Sequence, residues 1–216
     1  SFALKLNKNE INGSGLVTFL GGNLANLNPA EFFIQLDKNT IQLNDFPFLK
    51  PYLKAQSMLK ADVLVKGSLQ DFELNFKLKG AYRFLIEGTI HVIDAFQKDK
   101  IRINSDVFSI KTSDKALDAI FLKETYEQLK PYTSKMGDLI IDSEFTGDKN
   151  NWNIISNVKT KLGVLSPNVV LKRVTIDQPW ELAVALDVDA FDLGTLLNQK
   201  IPIKGTASLS INGIVD

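Results

Sequence analysis

The chain has no cysteine and a single histidine, and neither sign of charge is in excess. The lack of cysteine excludes disulfides, thiolate metal sites and cysteine nucleophiles. The 25 basic residues balance the 25 acidic ones, so charge gives no reason to expect nucleic acid or an anionic membrane surface as the main partner. We therefore expect no nucleic-acid partner.

Long apolar runs are also missing. The apolar runs are short, for example Leu139-Ile140-Ile141, whereas a membrane-spanning helix needs roughly 20 apolar residues. The sequence starts at Ser1 without a basic and then apolar signal segment, and it ends at Asp216 directly after a strand-like pattern. These two ends favour a fragment of a longer chain. Because no break in composition divides residues 1–216, we interpret them as one unit.

Motifs of catalysis or metal binding are absent from the sequence. The sequence has no second histidine that could bind a metal ion together with His91. It also has no Gly-x-Ser-x-Gly motif whose serine His91 could activate as a general base. The acidic cluster of Asp187, Asp189 and Asp192 lacks the turn and glycine of a calcium loop, which favours a solvated strand face. Asn12-Gly13 is interpreted as a hairpin turn rather than part of a phosphate loop. We expect neither an enzyme nor a cofactor.

What the chain does have is apolar residues at every second position. The segments Phe72 to Leu78 and Leu182 to Val188 show this alternation. A third segment shows it as well, and there Ile103 and Val107 are assigned to the same apolar face. Side chains alternate across a strand, so each strand has one apolar and one wet face. The pattern predicts a mainly β fold with an antiparallel sheet covered on one side. A sandwich, a barrel and an open curved groove all fit it.

Two segments eighty positions apart repeat the same pattern without a gap. Leu49-Lys50-Pro51-Tyr52 returns as Leu129-Lys130-Pro131-Tyr132, and each is followed by an alternation, a glycine (Gly67, Gly147) and an aromatic residue that opens the next alternation. A weaker third copy ends at Gly213. Repeated strand units each need a neighbour to cover their apolar face, so the repeat predicts an elongated sheet.

One longer helix and two short ones are expected beside the strands. Asp114 is the predicted N-cap of a helix that runs to Leu129 and is closed by Pro131. Short helical turns are predicted around 46–53 and at 193–198, where they would line one rim of the sheet.

These patterns resemble a known family. The motif Leu-Lys-Pro-Tyr, the run Gly67 to Leu74 (Gly-Ser-Leu-Gln-Asp-Phe-Glu-Leu) and the segment Phe191 to Gly213 are similar to the repeats of the TamB and AsmA-like family. The resemblance covers Leu43 to Asp216. It implies an elongated, bent antiparallel sheet with an apolar interior, a β-taco or groove, that belongs to the periplasm and is anchored to the inner membrane through other parts of the parent protein.

The resemblance also implies a function and partners. It predicts a hydrophobic groove that shields lipid acyl chains, or unfolded strands of outer-membrane proteins, in transit between membranes. The expected partners are a phospholipid or other acyl-chain lipid, an outer-membrane β-barrel assembly protein and neighbouring repeats of the same chain. A uniform lining without a polar side chain would let cargo slide, because each buried methylene contributes about 0.8 kcal/mol wherever it lies. The residues expected to line the groove are Val63, Val65, Phe72, Leu74, Phe76, Leu78, Phe145, Trp152, Ile154, Val158, Leu182, Val184 and Leu186.

Two other functions fit the same alternation. A closed β-sandwich would make these residues an ordinary dry core in a structural or adhesive domain. A closed barrel or clamp would hold a single lipid. An open groove should bury less than the roughly 70–75% of unfolded surface that a closed domain of this size buries.

Overall fold

A computed structural model describes residues 2–6, 9–19, 30–43, 49–54, 57–175, 177–199 and 204–215. Its twelve strands form one antiparallel sheet in which the order of strands is their order in the chain. The strands are β1 Phe2–Leu6, β2 Asn9–Phe19, β3 Ala30–Gln42, β4 Met58–Ser68, β5 Phe72–Lys79, β6 Leu85–Ile93, β7 Arg102–Thr112, β8 Leu139–Asp148, β9 Asn151–Thr160, β10 Gly163–Lys172, β11 Trp180–Asp192 and β12 Lys204–Val215. The predicted mainly β fold, built on an open antiparallel sheet, is confirmed.

The meander has two unlike rims. At one rim, here called the turn rim, strands are joined by short connections such as 69–71 and 149–150. The opposite rim, here called the helical rim, carries α1 Asp114–Ile120, α2 Lys123–Met136, α3 Leu193–Leu196 and a 3-10 turn at Ala81–Arg83. The expectation of one longer helix and short ones is therefore confirmed, and so is a helical element at 193–198.

The eighty-residue repeat of the sequence corresponds to a unit of four strands followed by a helical connection. The unit β4–β7 ends in α1 and α2, and the unit β8–β11 ends in α3. The repeated glycines occupy equivalent positions, since Gly67 pairs with Phe72 and Gly147 pairs with Trp152. Lys135 of α2 donates to the carbonyl oxygen of Leu196 at 2.7 Å, which joins the helical segments of the two units along the rim.

The helical segment differs from its prediction. Ser113, not Asp114, is the N-cap, since its side chain accepts from the Ala116 amide. The helix is interrupted after Ile120, because Phe121 forms a β-bridge with Leu53 instead. Pro131 lies inside α2, which continues to Met136. The buried residues on either side of this proline, Tyr126 and Thr133, hold the helix against α1 at a position where proline alone would end it.

Two other local expectations also need correction. Asn12 and Gly13 lie within β2, so they do not form a hairpin turn. Of the turn predicted at 46–53, residues 44–48 are outside the described part of the chain, and Leu49 to Tyr52 form a turn before Leu53.

The most tightly buried apolar side chains gather at the helical rim and not along the middle of the sheet. Leu59 and Leu139 lie at the start of β4 and β8, Phe191 lies near the end of β11, and Ala116 and Ile120 belong to α1. All five are buried, and Leu59 and Ala116 are almost fully enclosed. The connection before β4 is tied to this core, because the Ser57 hydroxyl donates to the carbonyl oxygen of Ile120 at 2.8 Å. The helices thus build a compact core along one rim, while the sheet extends away from it.

A buried polar network fixes α1 against α2. Tyr126 Oη donates to Asp114 Oδ2 at 3.0 Å, and Thr133 Oγ1 donates to Asp114 Oδ1 at 2.6 Å. Burial, followed by the hydrogen bond to Asp114, raises the pKa of Tyr126 to about 12. The phenol is therefore held in its neutral, donating form.

Replacing Asp114 by alanine should lower the free energy of unfolding by about 1–3 kcal/mol, because the buried Tyr126 hydroxyl loses its acceptor and the Thr133 hydroxyl keeps only the more distant carbonyl oxygen of Leu129. The parent protein should lose stability as pH rises from the ordinary pKa of 10.0 towards about 12, since the unfolded chain releases the Tyr126 proton first. This loss should be smaller in the variant. Urea unfolding at neutral and alkaline pH measures both effects. Asp118→Ala, at an exposed ion pair with Lys54, is the control and should change little.

A candidate hydrophobic binding face

The register of the sheet places all the predicted lining residues on one face. Phe76 pairs with Val63 on one side and with Gly88 on the other, and Ile154 pairs with Phe145 and Val169. We call the surface made by the lining residues and the side chains in register with them the apolar face. Every one of the thirteen predicted residues is half-buried, neither enclosed nor fully exposed: Val63, Val65, Phe72, Leu74, Phe76, Leu78, Phe145, Trp152, Ile154, Val158, Leu182, Val184 and Leu186.

Other residues of the apolar face are not among the thirteen predicted lining residues. Register adds Phe32 and Ile34 on β3, Ile86 and Ile90 on β6, Phe108 and Ile110 on β7, Leu165, Val169 and Leu171 on β10, and Leu209 and Ile211 on β12. These residues fill the gaps between the predicted ones. The described apolar face therefore continues from β3 to β12.

Aromatic rings form a row across the middle of the apolar face. The ring centroids of Phe76 and Phe108 lie 6.1 Å apart, those of Phe108 and Phe145 5.9 Å, and those of Phe145 and Trp152 6.5 Å. Phe76 of β5 and Phe108 of β7 are separated by one strand, β6, so their backbones are about 9.6 Å apart. Their rings lean together over Gly88, which pairs with both residues. This convergence is consistent with a sheet bent towards its apolar face.

No second sheet covers the apolar face among the described residues, because all twelve strands belong to one sheet, and the predicted lining residues stay half-buried. The accessible surface of the chain is 13964 Å². A compact monomer of 24.1 kDa would have about 10,000 Å². The chain thus buries only about 60% of its unfolded surface, which is less than a closed domain of this size buries. This large accessible surface agrees with an open sheet.

Exposure of the apolar face increases at β12, the last strand of the sheet. Leu209 and Ile211 are 53% and 54% exposed, whereas their partners Leu186 and Val184 on β11 are half-buried. The described part of β12 has a single neighbouring strand. Its residues 205–215 include no charged side chain, which is unusual for an edge strand, because charge is a common protection against edge-to-edge association.

The opposite face, here called the charged face, is held by ion pairs between neighbouring strands. Glu87 accepts from Lys77 at 2.7 Å and from Lys111 at 3.1 Å, so it links β5, β6 and β7. The hydrogen bond from Lys77, followed by that from Lys111, lowers the pKa of Glu87 below its ordinary value. The alternation of the sequence therefore separates an apolar face from one that is wet and charged.

His91 also lies on the charged face, in an open cleft of about 770 Å³ near the turn rim. Its Nδ1 is 3.8 Å from a carboxylate oxygen of Glu73, which also pairs with Lys66 at 2.9 Å. The hydrogen bond from Lys66 is the main cause that lowers the pKa of Glu73. The described residues include no group of three or more His, Asp or Glu arranged to hold a metal ion.

The apolar face is less uniform than expected. Ser143 pairs with Ser156 in the register of the lining residues, and their hydroxyl oxygens are 2.8 Å apart. The expectation of a lining without polar side chains is therefore wrong. The alternation of the sequence already gives both serines the phase of the apolar face.

Val107 was assigned to the same face as Ile103, and this is also wrong. The pairing of β7 shifts between Ser105 and Phe108, where a β-bulge inserts an extra residue. Val107 consequently pairs with Thr89 of the charged face and is exposed. A bulge reverses the phase of every residue beyond it, and period-two reasoning does not detect it.

None of the described helices is both long enough and apolar enough to span a membrane. Comparisons of the chain with protein-family models, with curated proteins and with solved structures find no match.

Proposed function

We propose that the apolar face shields acyl chains of lipids while they move between membranes. The observation that carries this proposal is the continuous apolar face, whose thirteen predicted residues share one side of the sheet and are all left half-buried. Transfer of acyl chains to such a surface is favourable by about 0.8 kcal/mol for each methylene that leaves water.

The arrangement supports movement along the face rather than capture at one point. Adjacent strands contribute apolar side chains at most register positions of this face, so a chain displaced by one strand finds a similar surface. The eighty-residue repeat continues this surface through two units of the sheet. Balanced charge on the chain as a whole gives no competing electrostatic preference.

The cellular setting of the proposal comes from the resemblance to the TamB and AsmA-like family. On that basis we propose that the chain belongs to the periplasm, as a segment of a longer protein anchored to the inner membrane. Neighbouring repeats would extend the sheet, and an outer-membrane β-barrel assembly protein would receive the cargo. The proposed role is non-enzymatic and needs no cofactor.

Photo-crosslinking tests this proposal directly. A photoreactive amino acid is placed at Val65, Ile154 or Leu186, which lie on β4, β9 and β11 of the apolar face. Leu64 and Ile155 are the matched controls, since each is adjacent to a test position but on the charged face. Radiolabelled phospholipid should crosslink at all three test positions and at neither control.

The pattern of crosslinks separates the competing functions. Crosslinking at one test position with saturation at one lipid per chain would indicate a single-lipid binder. Crosslinking to an unfolded outer-membrane protein but not to phospholipid would assign the cargo to polypeptide strands. Equal yields on both faces, or none on either, would contradict the proposal.

A further inference from the structure

Besides the buried Ser105, whose hydroxyl donates to the carbonyl oxygen of Val107 at 3.1 Å, two half-buried hydroxyl groups interrupt the apolar face near its centre. Ser143 of β8 pairs with Phe108 of β7 on one side and with Ser156 of β9 on the other. Along their own strands the two serines are flanked by hydrocarbon side chains of the same face. These flanking residues are Ile141 and Phe145 on β8 and Ile154 and Val158 on β9. The serine pair is thus a polar group enclosed by an apolar surface.

The hydrogen bond between the two serines uses only one of their two hydroxyl protons. The two oxygens are 2.8 Å apart, and either atom can be the donor of the bond between them. Each hydroxyl has one proton to donate. When one serine donates to its partner, the proton of the partner has no acceptor among the described residues, and both side chains are half-buried. The pair therefore presents a hydrogen-bond donor to whatever lies on the apolar face.

A donor in apolar surroundings favours a ligand that brings an acceptor to the same place. An acyl ester has a carbonyl oxygen directly beside its hydrocarbon chain, whereas an ether-linked chain of the same length has no carbonyl. We propose that the Ser143 and Ser156 hydroxyl pair binds the ester carbonyl of an acyl lipid. This inference rests on the proposed lipid-shielding function. It adds a point where the cargo is recognised by its linkage as well as by its chain.

Binding of two lipids that differ only in their linkage tests this inference. A diester phosphatidylcholine and its diether analogue with identical chains are each used to displace a fluorescent naphthylamine dye from the 216-residue chain. The parent protein should bind the diester lipid about two- to tenfold more tightly, the range of one net hydrogen bond. The double variant S143A/S156A should bind both lipids equally.

The single variants give a sharper result. In Ser143→Ala or Ser156→Ala, the remaining hydroxyl keeps its proton and can still donate it. Each single variant should therefore retain the preference for the ester, and only the double variant should lose it. A role of the pair in packing alone would instead weaken the binding of both lipids to the same extent.

Ser166→Ala is the matched control, because Ser166 lies on the neighbouring strand β10 but pairs with Asp187 of the charged face. It should leave the ester preference unchanged. Infrared spectra with a ¹³C-labelled ester carbonyl provide a second measurement, in which the carbonyl band should move to lower frequency on binding to the parent and not to the double variant. Lipid binding with equal affinity for ester and ether would overturn this inference alone, whereas no binding of either lipid would overturn the proposed function as well.

Discussion

Glutamate in place of Val169 is expected to reduce phospholipid binding at least about tenfold, because an acyl chain on the apolar face would have to cover an unpaired carboxylate. Val169 lies in the middle of that face, between Ile154 of β9 and Val184 of β11. Displacement of a fluorescent lipid analogue gives the affinity, and circular dichroism with urea unfolding gives the stability of the same sample.

Val170→Glu is a closely matched control for this substitution. Val170 is the next residue of β10 and is also half-buried, but it points to the charged face between Asn153 and Ala183. Both variants should lose similar stability, about 1–2 kcal/mol. Lipid affinity should fall only in Val169→Glu. An equal fall in both variants would mean that binding follows stability or net charge and does not depend on the apolar face.

Much of the sheet could be predicted because the alternation is local and the connections preserve its phase. The segments Phe72 to Leu78 and Leu182 to Val188 each carry apolar residues at every second position. In a meander of neighbouring antiparallel strands, residues that pair directly share a face. The thirteen residues assigned to an apolar face strand by strand therefore lie on one side of the sheet.

Strands β6 and β10 were harder to predict because both of their faces carry apolar residues. In β10, Val164 and Val170 lie on the charged face while Leu165 and Val169 lie on the apolar face, so no clear period remains. Pro167 obscures the strand further, since proline cannot donate to a sheet. The assignment of such strands depends on their pairing with neighbours, which is information that only the fold contains.

The helical rim depends on contacts that are distant in sequence. The β-bridge between Leu53 and Phe121 divides α1 from α2, and the Ser57 hydroxyl reaches Ile120 across the same junction. Local propensity favours one helix from Asp114, because the spacing of Leu117, Ile120 and Phe121 fits a single apolar stripe. The tertiary bridge overrides that propensity, and no signal within the helical segment indicates it.

The donor proposed on the apolar face depends on a different kind of information. Period-two phase is enough to place Ser143 and Ser156 on that face, but it does not show that they are opposite each other. Only the register between β8 and β9 brings their hydroxyls to 2.8 Å. Pairing of this kind follows from the hairpin that joins the two strands, whose connection at 149–150 is short.

The repeat glycines should respond very differently to substitution, although the sequence gives them the same place in the repeat. Gly67→Ala is expected to lower the free energy of unfolding by at least about 3 kcal/mol, because two costs add. The φ angle of Gly67 is +131°, which side chains rarely adopt, and an added Cβ would lie 2.8 Å from Cα of Phe72 and would also meet the carbonyl oxygen of Asp71. The clash is with backbone, so no rotamer change relieves it. Urea unfolding measures the loss.

Gly213→Ala is the matched substitution in the third copy of the repeat. An added Cβ at Gly213 meets nothing within 4 Å, and Gly213 has no left-handed φ angle. Alanine there should be neutral or should stabilise the chain by up to about 1 kcal/mol, because glycine loses more backbone freedom on folding. Similar losses in the two variants would show that these glycines are required by the repeat itself. A large loss at Gly67 alone would show that the requirement comes from the turn at 69–71, where the Ser68 amide donates to the carbonyl oxygen of Asp71 at 2.8 Å.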